Sequence, residues 1–496
     1  MKNLYTSTRN KQISRCAKDA ILQGIADDGG LYVFDRVDEL KLPLEQMMDM
    51  SYNEMAAVVL KLLLPDFSEE EILCCVKDAY EGYFDTDEIT PVNFDSDVAI
   101  LELFHGPTCA FKDLGLRMLP RLMSKAIESN QKDEVMILTA TSGDTGKAAL
   151  EGFKDVDHIG ISVFYPEGGV STMQHLQMAT TTGNNTRVCA IKGNFDDAQS
   201  NVKKIFNDLA LRAKLKQQNV VLSSANSINI GRLIPQVVYY IYAYKQMLKA
   251  NKIKFKEPVN FCVPTGNYGN VLAGYYAKMM GLPVNKFLVA SNANNVLYDF
   301  LKDGVYDRQR DFFKTISPSM DILISSNLER LLYYKSNKDA EYIASLMKQL
   351  EQEGKYQVSP AILESIQNDF YGGFASDEEC IEMIKTCYEQ FGYVLDPHTA
   401  CGYKVVKEYE KQDDTPCVLL STASPYKFTP AVVKAIFNEE FEDEFECMNT
   451  LYEKSKMAIP TSLKALKTME IRHDRVIEKT EMSDYVEEMV AEVFHD

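Results

Sequence analysis

The chain has 496 residues, of which 72 are acidic and 53 basic, so its formal net charge is -19. This acidic balance argues against nucleic acid or an anionic membrane as a partner, because both require a basic protein surface. We also expect no signal peptide, because residues 1–9 are polar, and no membrane span, since no apolar run approaches roughly 18 residues. The 11 cysteines show no CxxC spacing and the histidines are dispersed, which favours a reducing cytoplasm and predicts no metal site.

The first part of the chain, residues 1–95, predicts a helical N-terminal domain. Apolar residues recur at helical spacing over residues 14–22 and 44–64, with a turn at residues 27–30 between them. Ser68 and the three glutamates after it are a typical helix start before the apolar positions of residues 72–80. We expect this domain to pack against the rest of the chain without chemistry of its own.

From residue 98 onward, predicted strands alternate with predicted helices. The strands are expected at residues 98–104, 135–139, 159–164, 188–191, 220–222, 259–263, 287–290 and 416–421. This rhythm predicts an α/β fold with a largely parallel sheet. Pro120 lies inside the helix expected over residues 114–127 and should kink it or shift its first turn. Residues 300–385 predict a helical insertion with a loop at residues 371–373, and the acidic tail after residue 436 predicts a solvated surface.

Lys112 follows the first of these strands and the turn at Gly106 and Pro107. Partial burial and the positive end of a helix dipole both lower the pKa of an amine. A lysine that attacks a carbonyl group requires such a lowered pKa. A solvated lysine at a helix start is the ordinary alternative, and on this stretch alone it is favoured.

A glycine-rich loop at residues 266–270 joins a predicted strand to a predicted helix. Glycine lets the backbone approach a ligand, and free N–H groups at a helix start bind anions such as phosphate. A tight turn without a ligand is the alternative. The GxGxxG spacing of dinucleotide-binding proteins is absent.

Two further loops have ligand-binding composition at the ends of predicted strands. Residues 141–146 offer hydroxyl and N–H groups for a carboxylate, although a Ser/Thr-capped helix start is equally consistent and the P-loop spacing fails. Residues 224–232 place two asparagines, a serine and Arg232 near a helix start, which is typical of an anion site or of a capped helix. One activated lysine together with a phosphate-binding loop matches what pyridoxal phosphate requires.

Several segments then resemble the threonine synthase family, in its class with an extra N-terminal domain. The matching segments lie at residues 28–32, 102–108, 110–113, 139–146, 224–230, 264–270, 396–399 and 421–423. The resemblance covers most of the chain and implies the tryptophan-synthase-β-like fold of pyridoxal-phosphate enzymes, with two parallel-sheet domains and an additional helical N-terminal domain. We therefore expect a large cofactor-binding domain at residues 96–130 and 225–496, and a small α/β domain at residues 131–224.

The resemblance also implies roles for individual residues. Lys112 would form the Schiff base with pyridoxal 5'-phosphate, and the hydroxyl of Thr422 would meet the ring nitrogen. The residues expected around the cofactor phosphate are Gly266, Asn267, Tyr268, Gly269 and Asn270. The residues expected to bind substrate are Ser142, Gly143, Asp144 and Thr145 at its carboxylate, and Asn226, Ser227, Asn229 and Arg232 at its phosphate.

Three functions remain open from the sequence. The resemblance favours a lyase of threonine biosynthesis that converts O-phospho-L-homoserine and water to L-threonine and phosphate, as a cytoplasmic monomer or homodimer. Ser424 stands where the family usually has histidine, which motivates a phospholyase that acts on O-phosphohomoserine or phosphothreonine and releases 2-oxobutyrate. A non-catalytic binding protein on the same scaffold is the third alternative, against which Lys112, the glycine loop and Thr422 all argue.

Overall fold

The computed structural model describes residues 4–130, 134–141 and 143–494. The N-terminal domain contains three strands and four helices. They are β1 (Tyr5–Ser7), β2 (Ser14–Arg15), α1 (Ala17–Gln23), β3 (Tyr32–Phe34), α2 (Leu44–Met47), α3 (Tyr52–Leu63) and α4 (Glu69–Tyr80). The predicted helices are present, but β1, β2 and β3 form an antiparallel sheet that was not expected. These strands have three residues at most, so their side-chain alternation is too short to detect in the sequence.

The middle of the chain alternates strands and helices as the sequence predicts. In order these are β4 (Val92–Asn93), β5 (Ala99–Glu102), α5 (Lys112–Leu116), α6 (Met118–Asn130), β6 (Glu134–Ala140), α7 (Asp144–Phe153), β7 (Ile159–Pro166), α8 (Thr172–Ala179), β8 (Thr186–Lys192), α9 (Phe195–Asn207), α10 (Leu209–Gln217) and β9 (Val220–Ser223). The helix expected over residues 114–127 is divided at Arg117. Pro120 lies in the first turn of α6, where it interrupts no hydrogen bond within the helix.

The remainder of the chain returns to the large domain and then passes to the small one. Its elements are α11 (Ile230–Leu233), α12 (Val237–Lys249), β10 (Val259–Pro264), α13 (Gly269–Met279), β11 (Val284–Ser291), α14 (Val296–Asp303), β12 (Val305–Asp307), α15 (Leu328–Lys335), α16 (Ala340–Glu353), β13 (Lys355–Gln357), α17 (Pro360–Asp369), β14 (Phe370–Phe374), α18 (Asp377–Phe391), α19 (Pro397–Tyr409), β15 (Cys417–Ser421), α20 (Thr429–Phe437), α21 (Glu444–Ser455), α22 (Thr461–Ala465), β16 (Val476–Glu478) and α23 (Met482–Phe494).

Two sheets carry the architecture. The large sheet has the order β14-β11-β10-β15-β5-β4 and is parallel except for the pair β4 and β5. The small sheet has the order β16-β8-β7-β6-β9 and is parallel throughout. Both lie among helices, as in other α/β proteins. The fold is α/β with two parallel-sheet domains and an additional N-terminal domain. Among the described helices, none is long and apolar enough to cross a membrane.

Two segments lie elsewhere than the sequence indicates. Residues 371–373, expected to form a loop, belong to β14, which pairs with β11 at the edge of the large sheet. Its glycines are required by close packing, since a Cβ atom on Gly373 would lie 2.7 Å from Val405. The acidic tail is not simply a solvated surface, because β16 joins the small sheet beside β8. The small domain therefore includes residues near the C-terminus.

Candidate active site

The carboxyl ends of the parallel strands β5, β15, β10 and β11 meet at one edge of the large sheet. Ligands of open α/β sheets bind at such an edge. Lys112 opens α5 after the turn that follows β5. Asp113 fixes this turn, because its carboxylate accepts hydrogen bonds from the amide (2.8 Å) and the hydroxyl (2.6 Å) of Thr108.

The loop that carries Lys112 is hydrogen-bonded to the loop after β15. The main-chain N–H of Phe111 donates a hydrogen bond to the carbonyl oxygen of Thr422 at 2.9 Å. The main-chain N–H of Ser424 donates one to the carbonyl oxygen of Cys109 at 3.0 Å. This short antiparallel contact places the buried residue Thr422 beside the start of α5. A cofactor bound to Lys112 would therefore have Thr422 within its surroundings.

The side chain of Lys112 is 9 % exposed and faces two polar groups. Its Nζ donates to Ser319 Oγ at 3.2 Å and lies 3.7 Å from Asp144 Oδ2. Burial lowers the pKa of the Lys112 amine from 10.5 to about 8, although the Asp144 carboxylate opposes this shift. Such an amine is partly neutral near physiological pH, as a nucleophile or a base must be.

Asp144, at the start of α7, lies at the centre of a polar cluster. Its Oδ1 accepts hydrogen bonds from Lys427 Nζ at 2.7 Å and Gln174 Nε2 at 3.0 Å, and its Oδ2 accepts one from Ser319 Oγ at 3.2 Å. Burial alone would raise the pKa of Asp144, but the ammonium groups of Lys427 and Lys112 reverse the effect and hold it well below its usual value. The Asp144 side chain is therefore an anion near neutral pH.

The loop between β10 and α13 exposes a row of main-chain donors. Across the described parts of the chain, no acceptor is recorded for the N–H groups of the five residues Gly266, Asn267, Tyr268, Gly269 and Asn270. Tyr268 has a left-handed backbone (φ 62°), and its ring lies 6.0 Å from that of Phe370 in the core, so only its backbone faces the loop. A Cβ atom on Gly266 would lie 2.8 Å from the carbonyl oxygen of Ser319.

Arg232 and Asn229 share one segment but have different surroundings. Arg232 is buried, donates to the carbonyl oxygen of Ala225 at 3.1 Å and has no carboxylate partner in the part of the chain described. Burial lowers the pKa of its guanidinium to about 10, which leaves it positively charged near neutral pH. Asn229 instead caps α11 and donates to the carbonyl oxygens of Ile21 and Ser224, so its amide is used within the fold.

The chain is similar to several known proteins over most of its length. The family profiles "Threonine synthase N terminus", "Pyridoxal-phosphate dependent enzyme" and "Threonine synthase, C-terminal" match residues 4–80, 93–361 and 399–488. Threonine synthase of Saccharomyces cerevisiae is 36% identical over 91% of this chain and 94% of its own length. The chain belongs to the threonine synthase family. Its cofactor is pyridoxal phosphate.

The chain is also similar to a human protein in sequence and to a bacterial enzyme in structure. Threonine synthase-like 1 of Homo sapiens is 38% identical over 95% of this chain, but the chain spans only 63% of the length of that relative. The crystal structure of PLP-bound threonine synthase from Brucella melitensis has a TM-score of 0.87 and 35% identity, covering 98% of this chain and 99% of that one.

The residues of this threonine synthase family member fit pyridoxal phosphate. The cofactor needs a partly neutral amine and an anion site. Among the described residues, the structure provides Lys112 and five N–H groups without an acceptor in the loop and first turn of α13. Lys112, Thr422 and the loop at residues 266–270 thus lie at one sheet edge, as the sequence predicts. Their individual contacts with the cofactor stay predictions.

The predicted substrate residues are more scattered. Gly143, Asp144 and Thr145 lie at the start of α7, facing Lys112 through Asp144. Ser142 lies outside the described residues. Asn226 and Ser227 are half-buried beside the cofactor loop, and the hydroxyl of Ser227 accepts a hydrogen bond from Asn327 Nδ2 at 3.2 Å. The capping role of Asn229 leaves its amide occupied by the backbone.

Sequence reasoning missed several residues of the site. Ser319 and Asn327 come from the helical insertion, whereas Lys427 follows β15. His398 was noted only as part of a matching segment. Its Nδ1 lies 2.8 Å from Asp396 Oδ1, and its Nε2 accepts the amide of Ser319 at 3.2 Å. The sequence offered no signal for Ser319, because it lies in a charged stretch without ligand-binding spacing.

Proposed function

We propose that this chain converts O-phospho-L-homoserine and water to L-threonine and phosphate. The observation that carries the proposal is the buried amine of Lys112 at the same sheet edge as two separate anion sites. One is the N–H loop at residues 266–270, and the other is the guanidinium of Arg232, which has no carboxylate partner among the described residues. A phosphorylated cofactor and a phosphorylated substrate together require two such sites.

Lys112 performs the proton transfers of the proposed reaction. The bound cofactor supplies the electron sink that makes substrate carbon–hydrogen bonds acidic. With the substrate amine in its place, Lys112 would take one proton each from Cα and Cβ and would return one each to Cγ and Cα, for which a pKa of about 8 is suited. Ser319 Oγ accepts a hydrogen bond from Lys112 Nζ and donates one to Asp144 Oδ2, and these contacts orient the amine.

The two ends of the substrate bind to different loops. We assign its phosphate to Arg232, whose planar guanidinium donates two parallel hydrogen bonds to phosphate oxygens. We assign its carboxylate to the start of α7, where the amides of Asp144 and Thr145 have no recorded acceptor in the described chain. The Asp144 carboxylate itself would repel the substrate carboxylate, so its amide is the group that contributes.

The substrate's γ-phosphate leaves as inorganic phosphate, and water adds at Cβ, so one water is consumed for each threonine formed. The assignment of Lys112 is tested by Lys112→Ala. This variant should release no phosphate from O-phosphohomoserine and should lack the absorption band of a Schiff base with pyridoxal phosphate. Release at the wild-type rate would remove Lys112 from the reaction.

A phospholyase that gives 2-oxobutyrate is the second candidate. Ser424 favours it, because the structure turns its hydroxyl toward its own loop, where Oγ accepts from the amide of Tyr426 at 3.3 Å. A serine in this position provides no proton carrier comparable to the histidine usual in the family. Product analysis with O-phosphohomoserine separates the two reactions, since threonine supports the first and 2-oxobutyrate supports the second.

We further propose a cytoplasmic location, because all 11 cysteines are free thiols and 9 of them are buried, as expected under reducing conditions.

A further inference from the structure

Lys427 is a second lysine in the candidate active site and is more deeply buried than Lys112. Its side chain is fully buried, on the turn Pro425–Lys427 that follows β15. Its Nζ contacts Asp144 Oδ1 at 2.7 Å and donates to the carbonyl oxygen of Thr108 at 3.0 Å. A buried ammonium group is costly unless it is paired, and Asp144 provides the pairing carboxylate. This ion pair lies inside the candidate site and not on the surface, so we ask what it does there.

The Asp144 carboxylate is shared between two lysines. Its Oδ1 is occupied by Lys427 and Gln174, whereas its Oδ2 faces Ser319 and, at 3.7 Å, Lys112. An uncompensated carboxylate at this distance would favour the protonated form of Lys112 and so oppose its chemistry. A second cation on the far side of the carboxylate reduces that effect.

We propose that Lys427 is a positioning residue that acts on Lys112 through Asp144, compensating the carboxylate so that Lys112 can lose its proton. This inference rests on the proposed function, in which Lys112 is nucleophile and base. The charged groups that act on Lys112 are Asp144, Lys427 and Arg232, and the polar group beside it is Ser319. Lys427 and Arg232 both lower the pKa of Lys112 and so oppose Asp144, which raises it.

The hydrogen bond between Gln174 and Asp144 also explains why glycine occupies position 143. This residue has φ 141°, and a Cβ atom there would lie 2.3 Å from the amide of Gln174. Gln174 is thereby able to reach Asp144 Oδ1 on the same side as Lys427. The carboxylate is thus fixed on one side, which leaves its other oxygen directed at Ser319 and Lys112.

The test measures the rate of Schiff-base formation between apo-enzyme and pyridoxal phosphate as a function of pH, which gives the apparent pKa of Lys112. Lys427→Met should raise this pKa by about one unit. At pH values below the pKa, such a shift decreases the fraction of neutral amine tenfold. Asp144→Asn should lower it, because Lys427 then acts as an unopposed like charge. The double variant should return close to the wild-type value, which a merely structural role of Lys427 does not predict.

Lys335→Met is the matched control, since Lys335 also forms a buried ion pair, with Asp369, and lies against Tyr275. Lys335 is not among the charged groups that act on Lys112. It should leave the pKa of Lys112 unchanged. If Lys427→Met does not fold, Lys427→Gln replaces it, and Lys427→Arg should retain the wild-type pKa. An unchanged pKa in the neutral variants, or a double variant that is not restored, overturns the inference. Failure of the wild-type enzyme to form a Schiff base at Lys112, located by borohydride reduction and peptide mapping, would instead overturn the proposed function.

Discussion

The side-chain Nδ2 of Asn327 donates a hydrogen bond to the main-chain oxygen of Asn267 at 2.9 Å. The main-chain N–H of Asn327 donates to the same oxygen at 3.1 Å. Asn327 in turn accepts a hydrogen bond from the buried side chain of Arg330, whose Nε donates to the carbonyl oxygen of Tyr32 at 2.9 Å. The loop expected to bind the cofactor phosphate is therefore connected to the N-terminal domain. This contact gives the N-terminal domain a part in shaping the site.

Asn327→Ala should weaken the binding of pyridoxal phosphate. The variant loses the side-chain hydrogen bonds to Asn267 and Ser227, each contributing about 1 kcal/mol, so the Kd should rise roughly thirtyfold. Equilibrium titration of apo-enzyme with the cofactor measures this change. Asn368→Ala, at an exposed position, is the control. An unaltered Kd would show that the loop keeps its shape without Asn327.

The pH dependence of kcat should reflect the Lys112 amine, because Lys112 is released from the cofactor only while substrate is bound. A base must be neutral, and burial lowers the pKa of Lys112 to about 8, so kcat should increase as pH rises through this value. An ordinary exposed lysine would place the increase near its usual value of about 10.4. The profile is measured with the holoenzyme and O-phosphohomoserine. A rise confined to that alkaline range would contradict the burial argument.

Arg232→Met should raise the KM for O-phosphohomoserine. The variant removes a buried guanidinium that has no carboxylate partner in the described part of the chain. A hydrogen bond to a charged group contributes about 1.5–3 kcal/mol, or roughly a tenfold to hundredfold change. Steady-state kinetics would show the increase. Arg212→Met, at an exposed position on α10, should have no such effect. Equal KM values for both variants would place the substrate phosphate elsewhere.

Gly373→Val should destabilise the large domain. The added Cβ would lie 2.7 Å from Val405 on α19, and overpacking of this kind typically costs about 1–3 kcal/mol. Thermal denaturation should show a lower Tm than that of the wild-type protein. The same substitution at Gly82, where no atom lies within 4 Å of the added Cβ, is less crowded, although its φ of 75° adds backbone strain. A Tm unchanged in Gly373→Val would mean that β14 and α19 can separate at little cost.

Local patterns were sufficient for much of the secondary structure. The strand before Lys112, the strand before Gly266 and the helix after it have long, buried or periodic segments, and all three are confirmed. The short strands of the N-terminal domain were missed because three residues carry no readable period. The strand β14 was missed because its adjacent glycines, required by packing against α14 and α19, are also typical of loops.

The sequence by itself determined the fold class, the cofactor and the family, since the alternation of strands and helices and the order of the matching segments can both be read along the chain. It also indicated Lys112 through the resemblance and the accompanying loops, although the stretch around Lys112 alone favours a solvated lysine. Only the tertiary structure decided which groups surround that lysine. Asp144, Ser319 and Lys427 are separated by more than a hundred residues of chain, and their side chains interact only because the loop after β6 of the small sheet meets the edge of the large sheet. Electrostatic effects depend on distance through space and on burial, and neither quantity can be read from sequence spacing.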